Sequence, residues 1–197
     1  MNEKQLYQNY LHQLYHFHVD IGANSEDDYG SNLVCDTYGE LLFASVSKLI
    51  QIIKPSADDM FLDMGSGIGK LATQVFLQTE ITRVLGIEAA KSRNDVAIEA
   101  CLKLKSQLPQ LFAQKRELVF ENGNFLNYDL LEVTIIYICS TCFTQELLLE
   151  IGKKINMLPN VTKVLTLKPI ANLNLPFCKA IEVECSWDSA LCYWYKL

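Results

Sequence analysis

The sequence predicts an α/β fold in which helices cover both faces of a doubly wound, mostly parallel seven-stranded sheet. Three observations indicate this fold. Short apolar segments alternate with helical stretches from residue 60 onward, a glycine-rich turn follows the first segment, and only three residues separate the last two segments. Apolar strands that alternate with helices form parallel sheets buried on both faces. Strands joined by so short a connection run antiparallel, which predicts a C-terminal β-hairpin.

An N-terminal segment precedes this sheet. Four residues recur at helical spacing and predict an amphipathic helix within residues 1–20: Leu6, Tyr10, Leu14 and Phe17. A polar loop follows, and apolar residues then recur from Tyr38 until Pro55, which predicts a helix that leads into the sheet. We therefore divide the chain into a helical segment with its loop, residues 1–37, and a domain of residues 38–197.

The elements of the domain follow in order. Five strands of the parallel part are predicted at 60–64, 83–88, 117–121, 134–140 and 163–168. Helices are predicted between them at 70–79, 91–108 and 145–156. The strands of the hairpin are predicted at 180–187 and 191–195.

Composition restricts the class of protein. A chain of 197 residues has room for one domain with a substantial core. No apolar run approaches the roughly 18 residues of a membrane span, and the N-terminus lacks the basic start and apolar run of a signal peptide. Seven cysteines among apolar neighbours are typical of reduced core thiols. We expect a cytoplasmic protein that does not contact a membrane.

Charge argues against direct nucleic-acid binding, because the net charge is −6 and no Lys/Arg stripe follows one element. Two motifs have partly metal-like spacing. Cys139 and Cys142 form a C-x-x-C without a second pair nearby, and His12, His16 and His18 lack an accompanying acid or cysteine cluster. We interpret both as packed or surface residues and predict no metal site.

The glycine-rich turn, Asp63 to Lys70, follows the first strand of the sheet, where doubly wound folds bind their ligands. Gly65, Gly67 and Gly69 form a G-x-G-x-G pattern. A dinucleotide fingerprint places its third glycine three residues after its second, and a P-loop needs four residues between glycines followed by Lys-Ser/Thr. A carboxylate just before the glycines would also repel a pyrophosphate. The turn therefore favours a cationic ligand.

S-adenosylmethionine is a ligand of this kind, since it carries a sulfonium and an ammonium and no phosphate. Glu88, which ends the second strand, can accept both ribose hydroxyls. Asn124 and Phe125 follow the third strand, where an oxygen and a ring can hold an adenine. A glycine-rich turn with a downstream acid also describes dehydrogenases, so the dehydrogenase interpretation remains the alternative at this point.

The motifs taken together resemble the non-SET, Dot-type (disruptor of telomeric silencing) histone lysine methyltransferases, which have the Rossmann-like class I methyltransferase fold. The resemblance covers residue 38 to the C-terminus. Its motifs occur in order as Tyr38-Gly39-Glu40, the turn DMGSGIG, Glu88, Gly123-Asn124-Phe125, the block Cys139 to Phe143, Lys168-Pro169 and Ser186-Trp187 before a tyrosine-rich last strand.

The resemblance implies an S-adenosylmethionine-dependent protein lysine methyltransferase that yields S-adenosylhomocysteine and takes a protein substrate through its lysine side chain. It implies cofactor-binding roles for Tyr38, Gly39, Glu40, Asp63, Gly65, Ser66, Gly67, Gly69, Glu88, Asn124 and Phe125. It implies catalytic roles for Ser140, Phe143, Trp187 and Tyr193, the last three as walls of a narrow lysine channel.

This chain departs from the family pattern at two positions. Asn124 stands where the family has an acid, and Cys139-Ser-Thr-Cys-Phe143 stands where the family has Asn-Asn-Phe-Ala-Phe. An amide oxygen accepts the same hydrogen bond as a carboxylate, whereas loss of the two amides changes the target-facing block. Two alternatives therefore remain: a small-molecule N-methyltransferase on the same fold, and a non-catalytic S-adenosylmethionine-binding module.

Overall fold

The computed structural model describes residues 3–16 and 39–197. Tyr38, the polar loop before it and the third histidine, His18, lie outside the described residues. The described α-helices are α1 (Glu3–Tyr15), α2 (Phe43–Ile53), α3 (Lys70–Gln78), α4 (Lys91–Gln107) and α5 (Gln145–Asn156), with short 3₁₀ turns at Pro109–Lys115 and Phe125–Asn127. The strands are β1 (Met60–Met64), β2 (Arg83–Glu88), β3 (Glu117–Asn122), β4 (Ile135–Ile138), β5 (Lys163–Thr166), β6 (Phe177–Glu184) and β7 (Ser189–Lys196).

The strands form one seven-stranded sheet in the order β3-β2-β1-β4-β5-β7-β6. Strands β1 to β5 pair in parallel, while β7 pairs antiparallel with both β5 and β6. The predicted doubly wound, mostly parallel sheet with a C-terminal hairpin is therefore confirmed. The reversal of strand order at β1 and β4 places the ends of these strands side by side.

Most predicted boundaries lie within a few residues of the observed ones, and two of the differences have a clear cause in the pairing of the hairpin. Helix α2 begins at Phe43 rather than near residue 38, because Leu41 bridges to Cys185 and the Leu42 N–H donates to the Glu184 carbonyl at 2.9 Å. Strand β6 begins at Phe177 rather than at residue 180. An irregularity in its pairing with β7 follows Phe177 and interrupts the alternation that the sequence reading relied on.

The core lies on both faces of the sheet. Phe61 and Phe76 are buried on the face covered by α1 to α4, and Leu62 and Leu148 are buried on the face covered by α5 and its adjoining loops. Alternate residues of a strand point to opposite faces, so the near-continuous apolar sequence of β1 serves both layers.

Helix α1 packs directly on the domain. Leu11 and Leu14 are buried in the core, and the Tyr15 hydroxyl forms a buried hydrogen bond of 2.7 Å with the Thr73 hydroxyl of α3. Among the described residues, no helix combines the length and the apolar character needed to cross a membrane. Helix α1 thus forms part of the wall above the strand ends.

Candidate active site

A cavity of about 360 Å³ opens where β1, β2 and β4 end. Small-molecule sites typically have volumes of about 300–1,000 Å³. The glycine-rich turn, segment 39–43, α1 and the aromatic residues after β3 and β4 enclose it. The predicted site residues that line it are Gly39, Glu40, Asp63, Gly65, Ser66, Gly67, Glu88, Phe125 and Phe143.

The glycine-rich turn forms the floor of this cavity. Its amides at Gly65 and Ser66 both donate to the carbonyl of Ile87, at 2.9 and 3.1 Å, which fixes the turn against β2. Gly65 has a φ of 81°, a conformation that other residues adopt only with strain. The Ser66 hydroxyl is buried and has no partner among the described residues, so it is available to a ligand.

Gly69 has a packing role in the structure, and its cofactor contact stays a prediction. It lies outside the cavity lining and has a φ of 82°. A Cβ there would lie 2.6 Å from the Phe120 ring and 2.8 Å from the Ala97 methyl. Its missing side chain allows α3, α4 and β3 to meet closely.

Glu88 is held at the cavity by backbone amides. Its carboxylate oxygens accept from the Gly67 N–H at 2.8 Å and from the Ala90 N–H at 2.9 Å, and the residue is 6% exposed. Each oxygen keeps a second acceptor site. The side chain is therefore oriented before any ligand arrives.

Asp63 lies beneath the turn and is 2% exposed. Burial, and secondarily the charge of Glu88, raises the pKa of its carboxyl to about 8 from an ordinary value of 3.8. A cation beside it would favour the ionised form and lower this pKa again. The buried position of Asp63 therefore suits a ligand that places a positive charge beside this carboxyl.

The segment after β3 only partly meets its prediction. Phe125 lines the cavity, and its ring is stacked at 6.2 Å from that of Phe143. Asn124 does not line the cavity, because its side chain caps the following 3₁₀ turn by accepting from the Leu126 N–H at 2.9 Å. The sequence reading missed this local role, which asparagine often has at the start of a helical turn.

Segment 39–42 and the hairpin hold each other, although they are far apart in sequence. The Ser186 N–H donates to the Glu40 carbonyl at 2.8 Å, and the Glu40 N–H donates to the Ser186 hydroxyl at 3.2 Å. Gly39 lies under the Trp187 ring, where a Cβ would be 2.1 Å from Cζ3. Gly39 and Glu40 of the first motif thus form one wall beside the cavity with the Ser186-Trp187 motif.

The predicted catalytic residues occupy different places. Phe143 lines the cavity, and its ring lies 3.6 Å from the position of a Cβ at Gly65. Trp187 covers Gly39 from outside and is 45% exposed, whereas Tyr193 lies in β7 with its ring 6.3 Å from that of Phe177. Neither lines the cavity among the described residues.

Ser140 requires a correction, because the structure places it in the core rather than at the cavity. It is 0% exposed, its hydroxyl lies 2.7 Å from that of Thr166, and it accepts from the Lys168 N–H at 2.8 Å. These bonds join β4 to β5 at their carboxyl ends. Its contacts within the described residues are structural.

Other residues line the cavity that the sequence reading did not assign. Tyr137 neighbours Asp63 in the sheet register, and its buried hydroxyl has no partner within residues 3–16 and 39–197. Lys70 also lines the cavity, and its ammonium lies 2.6 Å from the Glu40 carboxylate. The sequence could have indicated Lys70, because this residue directly follows the glycine-rich turn. It could not have indicated Tyr137 in the same way, because the position of Tyr137 at the cavity depends on strand register.

The described residues of the two motifs interpreted as packed or surface residues also lie at the cavity. His12 of α1 and His16, just after this helix, line it with ring centroids 4.7 Å apart, and Cys139 and Cys142 also line it. Within the described parts of the chain, no group of three or more metal-binding side chains is found. Burial raises the pKa of the Cys139 thiol to about 12.

Two proteins described as histone-lysine N-methyltransferases are similar in sequence to part of this chain. A Caenorhabditis elegans protein described as histone-lysine N-methyltransferase, H3 lysine-79 specific, is 25% identical over 141 aligned positions that cover 68% of this chain and 15% of that protein. A Cryptococcus neoformans protein of the same description is 46% identical over 43 residues, 22% of this chain and 7% of its own length. This chain thus spans a small part of the relatives it matches.

Solved structures show the same fold at low sequence identity. Magnesium protoporphyrin IX methyltransferase from Synechocystis, solved with bound S-adenosylmethionine, has a TM-score of 0.59 at 8% identity, over 100% of this chain and 97% of that one. The methyltransferase domain of a bacterial Hen1 has a TM-score of 0.60 at 11% identity, over 77% and 97% of the two chains. The family model for histone methylation protein DOT1 matches residues 15–184. The chain belongs to the DOT1 histone methylation family.

Proposed function

We propose that this chain is an S-adenosylmethionine-dependent methyltransferase that transfers a methyl group to the amine of a protein lysine. The observation that carries the proposal is the pair of buried carboxylates, Asp63 and Glu88, that line one cavity with the glycine-rich turn. Such a site is unfavourable for a pyrophosphate and favourable for a cationic ligand with hydroxyl groups. Membership of the DOT1 family and the names of the relatives support lysine as the acceptor.

The residues present fit the cofactor. Asp63 would take its ammonium and Glu88 its ribose hydroxyls, and the Phe125 ring would pack on its adenine. The Ser66 hydroxyl supplies a direct test of fit, because it is buried at the cavity without a partner among the described residues. A buried hydroxyl left unpaired is destabilising by about 1–3 kcal/mol, and a polar ligand relieves this.

When bound, S-adenosylmethionine supplies an electrophilic methyl group on a sulfonium and leaves as S-adenosylhomocysteine. The chain must orient the acceptor amine, exclude water and favour loss of the ammonium proton. Phe143 lies in the cavity beside Gly65, where its ring face can attract a cation and its apolar surface favours the neutral amine. Trp187 and Tyr193 are proposed as the outer walls of the channel.

The test is transfer of a labelled methyl group. The purified protein is incubated with labelled S-adenosylmethionine and, in parallel, histone octamers, nucleosomes and whole-cell extract, and labelled bands are identified by mass spectrometry. We expect label on lysine that Gly67→Arg abolishes, since the larger side chain enters the cavity floor at a φ of 54°. Absence of label on every protein, with the cofactor still bound, would refute the lysine acceptor.

A small-molecule amine is the second candidate acceptor. It is favoured by one observation: α1 residues line the cavity, while Trp187 and Tyr193 lie outside its lining. A cavity of about 360 Å³ with α1 in its wall has room for a small acceptor beside the cofactor. Label recovered in the low-mass fraction of the same incubation would support this candidate.

A further inference from the structure

The C-terminal hairpin presents a sheet face that no described helix covers. The register of β6 and β7 puts Ala180 opposite Tyr193, Glu182 opposite Leu191 and Glu184 opposite Ser189, and opposed residues of antiparallel strands share a face. We name this set of residues, together with Phe177, the hairpin face. Helix α5 and its adjoining loops cover the neighbouring part of the same side of the sheet.

The hairpin face combines apolar and acidic side chains. Phe177 is 55% exposed and Leu191 is 48% exposed, although both are large apolar residues. Glu182 and Glu184 are exposed beside them, and none of the residues in the hairpin face is basic. Within the described residues, the Glu182 carboxylate forms no ion pair.

The edge of the hairpin is already occupied beside these acids. The Lys48 ammonium donates to the Glu182 carbonyl at 2.8 Å, the Ser45 hydroxyl accepts from the Glu184 N–H at 2.7 Å, and the Leu42 N–H donates to the Glu184 carbonyl at 2.9 Å. These contacts hinder addition of another strand along this part of β6. A partner would therefore lie across the face rather than extend the sheet.

The hairpin face leads toward the cavity. Tyr193 pairs with Thr166 of β5, whose hydroxyl lies 2.7 Å from that of Ser140. The Ser140 carbonyl in turn accepts from the Phe143 N–H at 3.0 Å, and Phe143 lines the cavity. Tyr193 of the hairpin face is thus joined to the cavity wall through buried residues of β5 and of the segment after β4.

We propose that the hairpin face docks a basic, extended segment of the protein whose lysine is methylated, an inference that rests on the proposed function. Lysine or arginine ammonium and guanidinium groups would face Glu182 and Glu184, and their aliphatic stems would pack on Phe177, Leu191 and Tyr193. The same carboxylates repel a nucleic-acid backbone. The occupant is therefore a basic peptide segment.

The test uses a fluorescein-labelled 16-residue peptide of lysine, arginine, glycine and alanine, with binding to the full chain followed by anisotropy at low salt. We expect Glu182→Lys to weaken binding at least about fivefold. Glu121→Lys is the matched control, since it makes the same charge change at an exposed position of β3, the opposite edge of the sheet. It should leave binding within about twofold.

Equal weakening by Glu182→Lys and Glu121→Lys would overturn the proposal, because net charge alone would then explain the binding. Absence of peptide binding to the unmodified chain would also overturn it. Leu191→Ser provides a second variant that keeps the charge and should weaken binding through the lost apolar contact. Titration with S-adenosylhomocysteine separates the two proposals, because failure of cofactor binding contradicts the proposed function whatever the peptide does.

Discussion

Asp63→Asn tests whether burial keeps the Asp63 carboxyl protonated in the ligand-free protein. The raised pKa of Asp63, about 8 against an ordinary 3.8, means that the folded protein keeps this carboxyl protonated where the unfolded chain has lost the proton. The native state then binds more protons, so its stability falls as pH rises between these two values. Asparagine has nearly the same shape and does not titrate, which removes this pH dependence.

The size of the effect follows from linkage. Each pH unit between the two pKa values lowers the stability of the unmodified protein relative to the variant by about 1.4 kcal/mol. Between pH 5 and pH 7 the free energy of unfolding of Asp63→Asn should therefore gain about 3 kcal/mol on that of the unmodified protein. Titrating groups that do not interact with Asp63 contribute equally to both proteins and cancel in this difference.

The assay is urea unfolding of the ligand-free proteins at pH 5, 6 and 7, with the stability difference plotted against pH. Asp58→Asn, at an exposed carboxylate, controls for the exchange of an acid for an amide. If the stability difference between Asp63→Asn and the unmodified protein stays constant from pH 5 to pH 7, the Asp63 carboxyl does not have a raised pKa in the folded protein.

Three further substitutions test the wall, the turn and the core. Gly39→Ala should displace the Trp187 ring, since the new Cβ would lie 2.1 Å from it. We expect altered tryptophan fluorescence, reduced methyl transfer and a loss of about 1–3 kcal/mol in the free energy of unfolding. Unchanged fluorescence would contradict this. Gly69→Ala should lower the free energy of unfolding by about 2–5 kcal/mol, because its φ of 82° strains any other residue and the new Cβ would contact Phe120. A loss below about 1 kcal/mol, measured by urea unfolding, would contradict this packing role. Ser140→Ala should lower the free energy of unfolding by about 1–3 kcal/mol, while the affinity for S-adenosylhomocysteine stays unchanged. A large loss of this affinity, measured by calorimetry, would show that Ser140 acts at the binding site.

Much of the fold was predictable because it depends on local periodicity. The apolar segments of β1 and β2 and the short hairpin connection identify the sheet without knowledge of long-range contacts. The start of α2 was not predictable in this way, because Leu41 is drawn out of the helix by a bridge to Cys185 in the distant hairpin. Tertiary pairing overrides helical periodicity at such positions.

The site was predictable where one residue's chemistry decides its role. Asp63 and Glu88 are acids at strand ends, and both line the cavity. Ser140 and Asn124 were misplaced because each satisfies a local backbone or strand contact that the sequence does not reveal. The contribution of α1 to the cavity wall depends on packing of an N-terminal helix against α3, which no motif marks.

The central claim is that the cavity at the glycine-rich turn binds S-adenosylmethionine and its product. Isothermal titration of the ligand-free protein with S-adenosylhomocysteine tests this most directly, with circular dichroism to confirm that the variants fold. We expect one site per chain, with binding lost in Gly67→Arg and strongly weakened in Glu88→Gln. The glutamine amide would place a donor against one of the two backbone donors that hold Glu88. Absence of binding, or equal affinity in the unmodified protein and both folded variants, would contradict it.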